Sequence, residues 1–224
     1  AMTGGLLQAA SHATAKAGMF MAAGLIYAAL GHDRIAELAG VARAMPVTVL
    51  AFAVAGLALM GVVPSGAYLA KKLLLEAADS SGQWWWTIVL QGGAAFTAGY
   101  VVLILTSVLR RPPAPLQLAK RASRLAEYAA LGLALSSLLL AFIAAGPGFE
   151  RGLGSASGDL IANPLAPREL GTTLLVVLGG GLLALGLSRR SLFGAPRAGD
   201  AANDRPLRRA TVAAGTALEH ADAF

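Results

Sequence analysis

The sequence predicts an all-α, polytopic membrane protein with about five transmembrane helices, one of which is broken. Of its 224 residues, 56% are hydrophobic and only 13% are charged, whereas a soluble domain carries about a quarter charged residues. The apolar residues form blocks of roughly 20 residues, the length that a helix needs to cross a bilayer. Lysines and arginines cluster at the ends of these blocks, as the positive-inside bias predicts.

The first two predicted spans cover about residues 5–30 and residues 47–78. The second span is predicted to begin at Pro46, because proline is favoured at the first position of a helix. Its middle contains "VVPSG", where Pro64 removes a backbone donor and Gly66 loosens the chain. We therefore expect this span to be broken in its middle.

Three further spans are predicted in the rest of the chain. Residues 84–109 run from "WWW", typical of an interfacial aromatic belt, to an arginine pair typical of a cytoplasmic anchor. Two more spans follow at about residues 125–145 and 170–187. The polar remainder, residues 188–224, is predicted to be a disordered cytoplasmic tail. The chain thus divides into residues 1–110, with three spans, residues 111–187, with two, and the tail.

Charge predicts the orientation of these spans. The loop after the third span carries five lysines or arginines and no acid before Glu127, so it is expected to be cytoplasmic. Alternation then places residues 31–46 and the tail on the same side. We expect a multi-pass protein of the cell inner (plasma) membrane.

Composition and motifs argue against several other classes. The net charge of +6 lies at the ends of spans and forms no stripe with aromatic readers, so no nucleic-acid partner is expected. Without cysteine there is no thiolate metal site or iron–sulfur cluster. No nucleotide loop, flavin motif or metal cluster is visible, and we expect no cofactor. A membrane hydrolase is also disfavoured, because the sequence has neither GxSxG nor a paired acid for a metal.

The stretch "SHATAKAGMF" places a histidine and a lysine inside the first span. His12 and Lys16 are four residues apart and share one helix face. A lysine at the centre of a span costs about 2.5 to 3.5 kcal/mol, so it should face a partner helix or a hydrated cavity. Histidine titrates near neutral pH, and the pair therefore offers two proton-binding groups. The alternative is a pair that snorkels to the headgroups as an anchor.

A second lysine lies beside the predicted break. Irregular backbone at membrane depth is tolerated where it lines a cavity or packs in protein, and an ionisable side chain beside it is typical of an ion-translocating site. Lys71 and Lys72 occupy this position. The alternative is an interfacial turn at which both lysines face water.

These motifs resemble a known family. "SHATAKAGMFMAAGLIY" is similar to the "HAxxKAxLFxxAG" segment of the antiporter-like subunits of respiratory complex I, the related hydrogenase membrane subunits and the multisubunit cation/proton antiporters. The following stretch, through "MPVTVLAF" and "VVPSGAYLAKKLLL", resembles the family's "MPxT…F…LxGxPPxxGFxxK". The resemblance covers about residues 8–110 and implies part of the second of two inverted repeats, related most to D-type antiporter and M/N-type complex I subunits.

The resemblance implies a proton or cation/proton translocating subunit, with redox chemistry and cofactors on other subunits. His12 and Lys16 match the central-axis residues of the family, and Lys71 matches the residue thought to gate the exit of the proton path. Pro64 and Gly66 match the helix break. The implied partners are other membrane subunits, the bilayer, and protons or monovalent cations.

The sequence also departs from the family. The first repeat, with its acidic residue and lysine, is absent, and Val63 and Ala67 replace a proline and a glycine. We expect either a truncated chain or one that works beside a partner supplying the missing half. The opposing hypothesis is a structural or assembly subunit, or a remnant without transport of its own, that packs small-residue faces such as "LGGGLLALG" against partner helices.

Overall fold

The predicted all-α class is confirmed by the computed structural model, which describes residues 2–112, 116, 118–120, 122–144 and 167–189. Across these residues no strand is present. A single 3-10 turn, Ile35–Glu37, precedes α2. The predicted tail lies outside the described residues, apart from its first two. The helices are α1 Met2–Leu30, α2 Val41–Ala44, α3 Pro46–Met60, α4 Gly66–Ser80, α5 Trp85–Leu109, α6 Arg124–Ala144 and α7 Pro167–Arg189.

Among the described residues, three helices are long and apolar enough to cross a membrane. They are α1, α5 and the Arg124–Ile143 part of α6. Two shorter apolar helical segments are α3 and residues Thr173–Gly186 of α7. With 15 residues, α3 is about 22 Å long, which is less than the roughly 30 Å of a hydrocarbon core. It can span the bilayer only together with a second segment.

That second segment is α4. Val49 of α3 packs in a cluster with Ile26 near the C-terminal end of α1. Beyond the break, Gly66 lies against Ser11 of α1, and α4 continues to the level of Gly4. Thus α3 lies beside the C-terminal part of α1, and α4 lies beside its N-terminal part. Together the two helices run antiparallel to α1 as one interrupted span.

The centre of the bundle is built from small residues of α1, α3 and α6. At Gly18 of α1, an added Cβ would lie 2.9 Å from the backbone nitrogen of Ala134 in α6. Small side chains allow such close approach of membrane helices. The surrounding core consists of Met19, Ala22, Ala51, Phe52, Ala55, Met60, Ala98, Val101, Ala130 and Ala134.

Residues 61–65 form the break between α3 and α4. Gly61, at φ +72°, ends α3 in the left-handed conformation, and its N–H donates to the carbonyl of Ala58. The Val63–Pro64 peptide is cis. Ser65 begins α4 as its N-cap, because its Oγ accepts a hydrogen bond of 3.1 Å from the N–H of Tyr68.

Gly66 has a different role from the predicted one. It is the first residue of α4 and does not loosen the chain. A Cβ at this position would lie 3.0 Å from both Leu140 Cβ and Ser11 Oγ. Its small size therefore seats α4 against α1 and α6, whereas Gly61 provides the conformational freedom at the break.

The loops that follow α1 and α5 contact each other at the end of the bundle that is predicted to be cytoplasmic, the inner end. The N–H of Gly40 donates to the carbonyl of Arg110 across 3.0 Å, and the N–H of Ala119 donates to that of Ala29 across 2.8 Å. The predicted topology places both loops on the same side of the membrane. These hydrogen bonds close the bundle at that end.

Candidate functional site

Lys71 lies in the second turn of α4, just beyond the break. Its side chain is half-buried, and its Nζ donates a hydrogen bond of 2.6 Å to Oε1 of Gln91 in α5. Hydrogen bonds from a charged donor are shorter and stronger than those between neutral groups. The amide of Gln91 therefore holds the ammonium group at a fixed position between the two helices.

A cavity of about 430 Å³ adjoins this pair, where α4 faces α5 and α7. Its apolar lining includes Met60, at the end of α3. Two cations and two anions of α4 face it, with further hydrogen-bonding groups from α5 and α7. The polar lining includes Lys71, Lys72, Glu76, Asp79, Gln91 and Thr173. Because these formal charges balance, the cavity can hold water and ions without a large net field.

The irregular backbone of the break lines the same cavity. Gly61 and Val62 are both part of its wall. Non-helical backbone at membrane depth is tolerated where it borders a water-filled cavity or is packed in protein. The break and the lysine thus line one cavity.

His12 and Lys16 lie elsewhere, on the outer face of α1. His12 is exposed, and Lys16 is half-buried with its Nζ 5.3 Å from the ring centroid of Phe20, within cation–π distance. The opposite face of α1 is the one inside the bundle, where Ser11 and Gly18 meet α6. The described part of this chain therefore does not enclose His12 and Lys16, because the face of α1 that carries the small residues packs against α6.

The structure does not gather the three predicted relay residues into one site. Lys71 faces α5 and α7, whereas His12 and Lys16 are directed away from the bundle core. A cation on the outer face of a membrane helix requires another protein surface, water or the headgroups. The outer face of α1 is thus a second polar region, separate from the cavity.

Two buried polar contacts were missed by the sequence analysis. Thr48 Oγ1 of α3 donates a hydrogen bond of 2.8 Å to Oε1 of Glu127 in α6. Ser11 and Ser137 have their Oγ atoms 3.3 Å apart between α1 and α6. Each of the two serines is a polar residue within an apolar block, and this was the available signal that they have a polar partner. The sequence does not show which distant residue that partner is.

Fold and site together define a polytopic helical membrane protein with a polar cavity at an interrupted span. Residues 1–97 match the family described as "NADH:quinone oxidoreductase/Mrp antiporter, TM". Over 75 residues the chain is 36% identical to NADH-quinone oxidoreductase subunit N of Desulforudis audaxviator (strain MP104C). This alignment covers 34% of the chain and 15% of the length of that relative. These matches support the resemblance read from the sequence, and residues 1–97 are similar to the antiporter-like complex I family.

The matched segment contains much of the candidate site. It includes α1 with its outer polar face, the break, Lys71 and Gln91. Glu127 lies beyond it. The Thr48–Glu127 contact therefore joins a residue inside the matched segment to one outside it.

Proposed function

We propose that the chain translocates protons, or a monovalent cation in exchange for protons, across the cell inner membrane. It acts as a non-redox subunit of a multisubunit complex related to NADH-quinone oxidoreductase or the multisubunit cation/proton antiporters. The observation that carries this proposal is Lys71, hydrogen-bonded to Gln91 in a polar cavity beside an interrupted helix. Ionisable groups at broken helices are the recurring sites of ion movement in membrane transporters.

The charges of the cavity suggest how Lys71 takes up and releases a proton. Lys72 is adjacent in sequence and lines the same cavity, as do Glu76 and Asp79. Two like charges about 4 Å apart repel by roughly 4 kcal/mol at an effective dielectric constant of 20. A proton that arrives on a neighbouring group therefore weakens proton binding at Lys71. The negative charges of Glu76 and Asp79 act in the opposite direction and strengthen it. Proton occupancy of Lys71 is thereby coupled to the charge state of the cavity.

The outer face of α1 provides the remaining part of the path. His12 and Lys16 lie four residues apart on this face. A partner subunit packs there and encloses the two side chains. Its polar groups then connect Lys16 to the rest of the complex. The relay through His12, Lys16 and Lys71 is thus completed only in the assembled complex.

Transport by the assembled complex in vesicles tests the proposal. Lys71→Ala removes the ammonium group and should slow proton translocation by about tenfold or more, since 1.4 kcal/mol of barrier corresponds to a factor of ten. Lys120→Ala, which removes an exposed cation from a loop, should leave the rate unchanged. Translocation at the parent rate by an assembled Lys71→Ala complex would contradict the proposal.

A structural or assembly role is the second candidate, and the open position of Gly181 in α7 favours it. Gly181 has no atom within 4 Å of its Cβ position, which leaves room for the close approach of a partner helix. Gly180, the residue before it, packs within the chain, where a side chain would collide with Ala98 and with the backbone of Gly99 in α5. If Gly181→Val leaves the chain folded but prevents assembly, and Lys71→Ala transports normally, the assembly role is the correct one.

A further inference from the structure

Glu127 is a buried carboxyl group at the inner end of the bundle. It lies in the first turn of α6, and its side chain is turned toward α3. Only 8% of the residue is exposed, and Thr48, which donates to it, is fully buried. Both residues are therefore more than nine-tenths buried. Neither residue takes part in the site around Lys71.

No cation pairs with this carboxyl group in the described part of the chain. Both ion pairs found there are made by Glu37, a loop residue, with His32 and Arg34. The side chain of Glu127 accepts a hydrogen bond from Thr48, and its backbone N–H donates to the carbonyl of Ser123. A buried carboxylate without a cation is costly, and binding a proton removes most of that cost.

The titratable groups of the neighbouring helices leave Glu127 without a close counter-charge. α3 has none. On α6, Arg124 and Tyr128 are exposed. Where α4 packs on α6, Gly66 faces Leu140, which is 13 residues or about 20 Å along the helix from Glu127. The titratable groups of α1 are His12, Lys16 and Tyr27, which lie on its outward side. Those of α4 are Tyr68, Lys71, Lys72, Glu76 and Asp79.

We infer that Glu127 and Thr48 form a proton-binding site at the inner end of the bundle. A proton from water on the loop side adds to the carboxylate of Glu127 and later leaves it, so that only an O–H bond forms and breaks. The hydroxyl of Thr48 fixes the position of the carboxyl group in both states. This inference deepens the proposed function, on which its purpose rests, by adding a proton site at the opposite end of the interrupted span from Lys71.

Infrared difference spectroscopy of the full chain in liposomes, recorded as the pH is changed, tests the site directly. Protonation of Glu127 should appear as a carboxyl carbonyl band that Glu127→Gln abolishes. Thr48→Val keeps the volume of the side chain but removes its hydrogen bond, and should move the band to higher frequency. Thr48→Ser should leave the band in place. Glu37→Gln, at an exposed loop carboxylate, serves as the control and should leave it unchanged.

The inference is overturned if Glu127→Gln leaves the pH-dependent carboxyl band at full intensity. If Glu127→Gln does not fold, as judged by its helical circular dichroism, the Thr48→Val variant decides. An unshifted band in that variant overturns the inference, and a shifted band supports it. The measurement requires no transport, so a failure of the proposed role of Lys71 would leave its result intact and interpretable.

Discussion

A hydrogen bond of 2.6 Å joins Lys71 Nζ to Gln91 Oε1 and links the second half of the interrupted span to α5. It lies beside a polar cavity, so the lysine is held at the wall of a space large enough for several water molecules. The hydrogen bond and the polar cavity offset the cost of placing a cation in a membrane helix, and they fix the position of the ammonium group. The cavity, the break and the hydrogen bond act together as one site.

Gln91→Leu should slow proton translocation by about tenfold and destabilise the contact between α4 and α5. A hydrogen bond to a charged group contributes about 1.5 to 3 kcal/mol, and this variant removes one acceptor of Lys71. Transport in vesicles and the free energy of unfolding in detergent measure the two effects. Gln83→Leu is the control, because Gln83 accepts a hydrogen bond from Trp86 at an exposed position. Equal effects of the two substitutions would contradict the role of Gln91.

Ser65→Ala should lower the free energy of unfolding by about 0.5 to 2 kcal/mol, because α4 loses its N-cap. The Oγ of Ser65 accepts from the N–H of Tyr68, and Ser65 is fully buried. Ser80→Ala provides the comparison at the other end of the same helix, where the hydroxyl is exposed and donates to Ala77. A loss at Ser80 as large as the loss at Ser65 would show that the cap does not stabilise the break.

Gly18→Ala should destabilise the bundle by about 1 to 3 kcal/mol, the usual cost of overpacking. The added Cβ would lie 2.9 Å from the backbone nitrogen of Ala134, which cannot move without displacing α6. Gly24→Ala, on the same helix and with no atom within 4 Å of its Cβ position, should be neutral or slightly stabilising. Both values come from unfolding in detergent, and a Gly18→Ala chain as stable as the parent would argue against this helix contact.

Much of the fold was predictable because membrane insertion depends on composition. Blocks of apolar residues predicted α1, α5 and α6, and Pro64 predicted the break, since proline cannot donate within a helix. The association of Lys71 with that break followed from their nearness in sequence. The polar lining contributed by α7 was not predictable, because it depends on how distant helices pack.

The orientation of α1 illustrates what the sequence could not decide. Spacing by four places His12 and Lys16 on one face, but it does not tell which face enters the bundle. The close contacts of Gly18 and Ser11 with α6 decide that question. An acidic residue in the first turn of a helix ordinarily suits the helix dipole at an exposed position, so the burial of Glu127 was equally hidden.

The most direct test of the central claim replaces the ammonium group of Lys71 chemically. The chain has no cysteine, so Lys71→Cys introduces its sole thiol, and the parent complex treated in the same way corrects for thiols of other subunits. Lys71→Cys should lose proton translocation, and aminoethylation of that thiol, which recreates a lysine-like ammonium, should restore most of it. Full translocation by the unmodified Lys71→Cys complex, or no recovery after complete aminoethylation, would contradict the account.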